Sequence, residues 1–280
     1  MIIIADSGST KTNWIITDFN NKLDEITTVG LNPLFLKTDQ IVSILKENFD
    51  ILDDNTDVSA IYFYGAGCSV KSNCDIISNS LNEVFKPSEI EVNSDLLGAA
   101  RALCGREEGI AGILGTGSNS CYFDGERIVD NVTSLGFIMS DEGSGSYLGK
   151  TLLRDIFKNI APVYICQRFR EEYNITKADI LDAVYRQPNP NRYLATFTNF
   201  IYKNLSEGYL YELVYSAFED YMKYQICLYN KHKELKLSCL GSVAYYFSDI
   251  LKEVGERRGI TLGKIIKSPI NELLKYHTKF

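Results

Sequence analysis

Two short turns built from glycine, serine and threonine, each caught between strand-like segments, constrain this chain more than any other feature. The first, Ser7-Gly8-Ser9-Thr10-Lys11, follows an apolar strand over residues 2–5 and Asp6, and runs into a second strand at Trp14-Ile15-Ile16-Thr17. The second, Gly115-Thr116-Gly117-Ser118-Asn119, joins a strand over 110–114 to another through Cys121-Tyr122-Phe123. A turn of this composition aims consecutive backbone N–H groups and hydroxyls at one point, which suits a phosphate oxygen. Neither is a Walker-type loop, because Gly-x-x-x-x-Gly-Lys-Ser/Thr is absent and each turn leads into a strand rather than a helix. Either turn alone reads equally well as a hairpin rich in turn-forming residues. The pair is the more specific signal.

The segments beyond each turn repeat one plan. After the first come a hairpin turn at Asp18-Phe19-Asn20-Asn21, a strand near 26–29, and helical spacing at Ile41, Ile44, Leu45 and Phe49. A strand over 60–63, a helix over 76–85, a strand over 90–92 and a helix over 96–104 complete the unit. After the second turn, a hairpin at Asp124-Gly125 leads to a strand at 128–129. A helical stretch of about 146–231 intervenes before a strand over 237–240, a helix over 244–258, a strand over 264–266 and a last helix over 270–276. The expectation is an α/β protein of two βββαβαβα domains, residues 1–108 and 109–280, packed around a cleft, the second with a large helical insertion.

Composition removes several functions. A chain of 280 residues, 45% hydrophobic and 23% charged, is long enough for two compact cores. A net charge of -7 argues against nucleic acid or an anionic membrane as partner, since both demand a basic face, so a phosphate-bearing ligand must be held locally. Ile2, Ile3 and Ile4 before Asp6 fall short of a signal peptide, and no apolar run reaches the length of a membrane span, which points to the cytoplasm. The 7 cysteines are odd in number and none forms a Cys-x-x-Cys pair, so they read as reduced, mostly buried thiols. With only His232 and His277 present, histidine-based zinc or triad chemistry is improbable.

Three further segments are open to chemistry. Asp6, at the tip of the first strand, offers a hard carboxylate to hydrated Mg²⁺, and Lys11 adds a point charge. Around Gly241 and Ser242 a strand turns into a helix, and the missing side chains would let a flat ring approach the backbone; an ordinary strand-to-helix connection reads the same way. Asp95 opens an amphipathic helix, where a capping role is worth about 1 kcal/mol and Ser94 is able to take it over. The tyrosine-rich stretch 202–229 reads as core or subunit interface, and Arg257-Arg258 as a solvated helix end.

Asp6-Ser7-Gly8-Ser9-Thr10-Lys11-Thr12, Gly115-Thr116-Gly117-Ser118-Asn119 and Gly241-Ser242-Val243 resemble the two phosphate motifs and the adenosine motif of the hexokinase/actin-like ATPase superfamily. Gly30-Leu31-Asn32-Pro33, Asn93-Ser94-Asp95 and Met139-Ser140-Asp141-Glu142-Gly143-Ser144 narrow the resemblance to the N-acetylglucosamine kinases and the BadF/BadG-type ATPase group, over residues 2 to about 259. The resemblance implies ribonuclease H-like domains and transfer of the γ-phosphate of ATP, with Mg²⁺, to the 6-hydroxyl of a small amino sugar, N-acetylglucosamine first, by a homodimer. It places ATP on Asp6, Gly8, Ser9, Thr10, Lys11, Thr116, Gly117, Gly241 and Ser242, with Asp6 also the metal ligand. It makes Asp95 the catalytic base and assigns sugar contacts to Asn32, Asp95, Gly117, Asn119, Gly136 and Asp141, leaving Glu142 unassigned. The chain departs from the pattern at Ser7, where the family has glycine, and at its C-terminus, which lacks a glycine- and alanine-rich closing segment. The competing readings are an ATPase activator of a 2-hydroxyacyl-CoA dehydratase, with an iron–sulfur cluster, and a sugar- or nucleotide-binding regulator without turnover.

Overall fold

The apolar run behind Met1 becomes the centre of a sheet. Ile2, Ile3, Ile4 and Ala5 are all buried, as expected for a strand covered on both faces, where side chains pointing either way meet protein. The computed structural model describes residues 1–8, 10–18, 21–49 and 57–278. It divides into two compact units: residues 1–107 with 125–127 and 268–280, and residues 108–124 with 128–267.

In the first unit, β1 (Ile2–Ser7), β2 (Lys11–Thr17), β3 (Lys22–Val29), β4 (Ala60–Gly65) and β5 (Glu89–Ser94) form one sheet in the order β3-β2-β1-β4-β5. β1 runs antiparallel to β2 and parallel to β4, which is parallel to β5; Asp6 lies opposite Asn13 and Tyr64, and Tyr64 opposite Asn93. The C-terminal ends of three parallel strands therefore share one edge, the edge at which open α/β sheets bind ligands. Trp14 anchors the core beneath: it is fully buried, donates from Nε1 to Thr28 Oγ1 at 3.0 Å, and meets Phe49 edge-on at 5.1 Å.

The second unit repeats the plan with β6 (Gly109–Leu114), β7 (Ser118–Phe123), β8 (Ile128–Asp130), β9 (Leu237–Leu240) and β10 (Leu262–Ile266), in the order β10-β9-β6-β7-β8. Between β8 and β9 the chain is helical, as the sequence indicates. The longest helix there, Gly208–Tyr224, buries Leu210, Val214, Phe218 and Tyr221 at helical spacing. No helix among the described residues is long and apolar enough to cross a membrane.

Several sequence-based boundaries move. The helix expected over 244–258 is two, Ser242–Tyr246 and Ser248–Arg257, parted at Phe247, whose ring is buried in the core. The hairpin expected at 18–21 includes Phe19 and Asn20, which lie outside the described residues. Arg258 is an ion-pair partner of Glu219 on helix Gly208–Tyr224, so that helix end is more than solvated charge. Within the tyrosine-rich stretch, Tyr221 and Tyr229 are core while Tyr202 and Tyr224 are exposed. The last helix, Ile270–His277, belongs to the first unit instead of the domain in which chain order placed it. The His277 ring stacks on Tyr62 of β4 at 3.7 Å and hydrogen-bonds Tyr64 Oη at 2.7 Å, contacts that periodicity cannot reveal.

Candidate functional site

In the first unit two carboxylates converge on the sheet edge. Asp6 is the penultimate residue of β1, and Asp95 directly follows β5 as the first residue of helix Asp95–Cys104. Burial raises the Asp6 carboxyl to about 7; the Asp95 charge pushes the same way, while Lys11 and a hydrogen bond from Asn13 oppose it. Asp95 is raised chiefly by burial, against the pull of the Leu96 N–H, which donates to its Oδ1 at 2.9 Å. The helix cap is Ser94, whose Oγ accepts from the Leu97 N–H at 3.2 Å. Asp95 is thus relieved of capping, and desolvation outweighs the helix terminus that would otherwise keep it a weak base.

The turn between β1 and β2 closes with the Gly8 N–H donating to the Lys11 carbonyl at 3.0 Å, and the Thr10 carbonyl accepts from Gly30 N–H at 3.0 Å. Ser9 lies outside the described residues. Ser7 is extended within β1 and buried. Its hydroxyl lies 2.8 Å from Thr12 Oγ1 and accepts from the Leu31 N–H at 3.0 Å. The serine that departs from the family pattern therefore pins the 30–33 loop to the first turn. In that loop Asn32 is buried and its Oδ1 accepts from the Leu34 N–H at 2.9 Å.

The Asp6 carboxylate fits a hydrated Mg²⁺. That ion needs only one or two protein carboxylates, the rest of its octahedron being water and phosphate oxygen, and a divalent charge would offset the repulsion between Asp6 and Asp95. No group of three or more His, Cys, Asp or Glu placed to hold a metal occurs among the described residues.

In the second unit Gly117, Asn119 and Asp141 gather around one turn. Asp141 is buried, and its Oδ1 accepts from the Ser118 N–H and from Ser134 Oγ, each at 3.2 Å. A side chain at Gly117 would stand 2.8 Å from Asp141 Oδ2, so the residue must be glycine for the carboxylate to lie there. Burial raises the Asp141 carboxyl, partly offset by these donors. Asn119 Oδ1 accepts from Ser120 N–H at 2.9 Å and Asn131 Nδ2 at 3.1 Å. Gly136 opens the short helix Gly136–Met139 in the loop that Ser134 fastens to Asp141. Beneath the turn, buried Gln225 donates from Nε2 to Ser118 Oγ at 3.0 Å and to Glu142 Oε2 at 3.4 Å. Gln225 carries no sequence signal, being one polar residue in a helical stretch.

Gly241 sits at φ 118°, and a Cβ there would lie 2.3 Å from the Leu114 carbonyl oxygen. Only glycine permits this positive φ together with that approach to the 115–119 turn. Thr116 and Ser242, predicted from separate motifs, line one cavity of ≈ 280 Å³ with Gly115, Val243 and Arg192.

No protein-family model matches the chain, and no curated protein matches it. Among solved structures it is similar to the putative N-acetylglucosamine kinase of Porphyromonas gingivalis, at 42% identity and a TM-score of 0.94 over 99% of this chain and 98% of that one. It is also similar to the putative N-acetylglucosamine kinase of Chromobacterium violaceum, with 16% identity and a TM-score of 0.73 over 98% of each chain. A ROK family glucokinase from Streptomyces griseus in complex with glucose and AMPPNP aligns at 14% identity and a TM-score of 0.53 over 98% and 97% of the two chains. These last two likenesses show the fold alone.

Proposed function

This chain belongs to the N-acetylglucosamine kinase-like family of actin-like ATPases and is an ATP-dependent sugar kinase; from that premise we propose that its substrate is a small amino sugar, N-acetylglucosamine first, phosphorylated at the 6-hydroxyl. The observation that carries the proposal is Asp95: a desolvated carboxylate of raised proton affinity, freed from capping by Ser94 and set at the ligand-binding edge beside Asp6.

Phosphoryl transfer is mainly a matter of positioning and charge neutralisation, with a base to orient the attacking hydroxyl. Asp95 accepts the hydrogen bond of that hydroxyl and takes its proton as the sugar oxygen bonds to the γ-phosphorus and the bond from that phosphorus to the bridging oxygen of ADP breaks. Burial suits it to the task, because a carboxylate with higher proton affinity is a better acceptor near neutral pH. Asn32, held by its own loop, offers an amide to the sugar hydroxyls. Asp6 would hold the hydrated Mg²⁺ and Lys11 would meet phosphate charge at the first turn, which Gly8 and Thr10 shape. In the second unit Thr116 and Gly117 take phosphate oxygens, Gly241 and Ser242 take adenosine, and Asn119, Gly136 and Asp141 fix sugar and turn together. Mg²⁺ held there would supply charge neutralisation to the transferred phosphate. The dehydratase-activator alternative draws no support from the 42%-identical relative.

A coupled ADP-release assay with N-acetylglucosamine, N-acetylmannosamine, glucosamine and a muramic acid derivative tests the reading. The expected result is the highest kcat/KM with N-acetylglucosamine. Absence of sugar-dependent ADP release with all four would sink it.

A further inference from the structure

The cavity beside the second phosphate turn has a lining residue that no nucleotide motif supplies. Among the residues that line this cavity with Gly115, Thr116, Ser242 and Val243, Arg192 is the one that carries charge. It comes from the helical insertion, on the short helix Pro190–Thr196. Resting on the kinase reading above, we propose that Arg192 is a ligand of the nucleotide phosphates, its guanidinium closing over the phosphate chain seated on Gly115-Thr116.

The backbone holds that helix against the turn with little slack. Helix Gly145–Phe157 begins on the turn itself, Gly145 N–H donating to the Gly115 carbonyl at 2.8 Å and Ser146 N–H to the Thr116 carbonyl at 3.0 Å. Helix Pro190–Thr196 docks on it through glycine: a Cβ on Gly149 would stand 1.9 Å from the Leu194 carbonyl oxygen, and one on Gly145 3.0 Å from Ala195 Cβ. Arg192, Ala195 and Thr196 share one helical face, and all three line the cavity. At ≈ 280 Å³ the space holds part of a nucleotide, not the whole.

Charge supplies the second argument. The protein carries a net charge of -7, and the turn from Gly115 to Asn119 contains no cation. A polyanionic phosphate chain on this turn gains from a positive group within the same unit, and the planar fork of arginine matches phosphate oxygens bidentately.

The test compares the parent with Arg192→Ala and Arg192→Lys, reading the KM for ATP, the KM for the sugar, and inhibition constants for ADP and adenosine, with Tm as a check on folding. Arg192→Ala is expected to weaken ATP and ADP by about 10–100-fold, the range for a charge-assisted hydrogen bond. Adenosine inhibition and sugar KM should stay within about twofold, and Arg192→Lys should recover part of the loss, because charge returns without the fork. Unchanged ADP inhibition in Arg192→Ala, or an equal loss for ADP and adenosine, overturns the assignment while leaving the kinase reading intact. A folded parent that ADP does not inhibit and that shows no sugar-dependent turnover overturns both.

Discussion

At the scale of single residues, the decisive division of labour is between two neighbours at one helix start. Ser94 is the cap residue and accepts the Leu97 N–H, while Asp95 accepts the N–H of its neighbour Leu96, so the two functions separate by mutation. Asp95→Asn keeps shape and cap, and removes a carboxylate that burial disfavours. It should lower kcat by about 10²–10⁴, the loss for a general base, and leave Tm level or slightly higher. Ser94→Ala should instead cost stability of about 0.5–2 kcal/mol, read as a fall in Tm, with turnover close to the parent. A Ser94→Ala enzyme as inactive as Asp95→Asn would show that both residues act through one structural role.

At the scale of elements, the second unit depends on two helices meeting backbone to backbone. Gly149 permits that contact, since a Cβ would fall 1.9 Å from the Leu194 carbonyl oxygen, an atom that cannot swing aside as a side-chain tip does. Gly149→Ala must therefore push helix Pro190–Thr196 away, at a cost of about 1–3 kcal/mol or more by the usual penalty for overpacking. Because that helix carries Arg192, Ala195 and Thr196 into the cavity we assign to nucleotide, KM for ATP should rise while KM for the sugar changes little. Thermal melting and two-substrate kinetics check both parts. A melting curve superimposable on the parent's would mean that the contact yields without strain.

At the scale of the whole molecule, the chain's end completes its beginning. His277 stacks on Tyr62, and its Nε2 hydrogen-bonds Tyr64 Oη, which accepts from Arg101 Nη1 at 2.6 Å. Arg101 also pairs with Glu91 at 2.6 Å, so the last helix is tied to β4, β5 and the helix that Asp95 opens. Burial lowers the His277 pKa from 6.5 to about 4, opposed by Glu91 and helped by Arg101 and Arg106. Between those values the unfolded chain binds the proton and the folded one does not. Stability from this site is therefore present in full above pH 6.5 and is lost as pH falls towards 4. The loss is at most about 3 kcal/mol, less where solvent screens the ring. Denaturant unfolding from pH 7 down to pH 4 should show this slope, and His277→Gln should flatten it. An unaltered acid limb in His277→Gln would locate the acid sensitivity elsewhere.

The sequence by itself determined the order of strands and helices, the two glycine-, serine- and threonine-rich turns and the position of the insertion. These are local properties, written in apolar periodicity and in the few residue types that tolerate tight turns. It also singled out Asp6, Asp95, Thr116 and Ser242, because each stands at the end of a strand or in a turn, where such side chains are conspicuous. Tertiary structure alone decided that Ser94 takes the cap, that Ser7 ties the 30–33 loop to the first turn, and that Gln225 and Arg192 reach the second turn from the insertion. It also decided that residues 268–280 join the first unit. Each of these depends on partners distant in the chain or on a choice between adjacent residues of equal propensity. Periodicity records which face of an element is apolar, and it holds no record of what that face will meet.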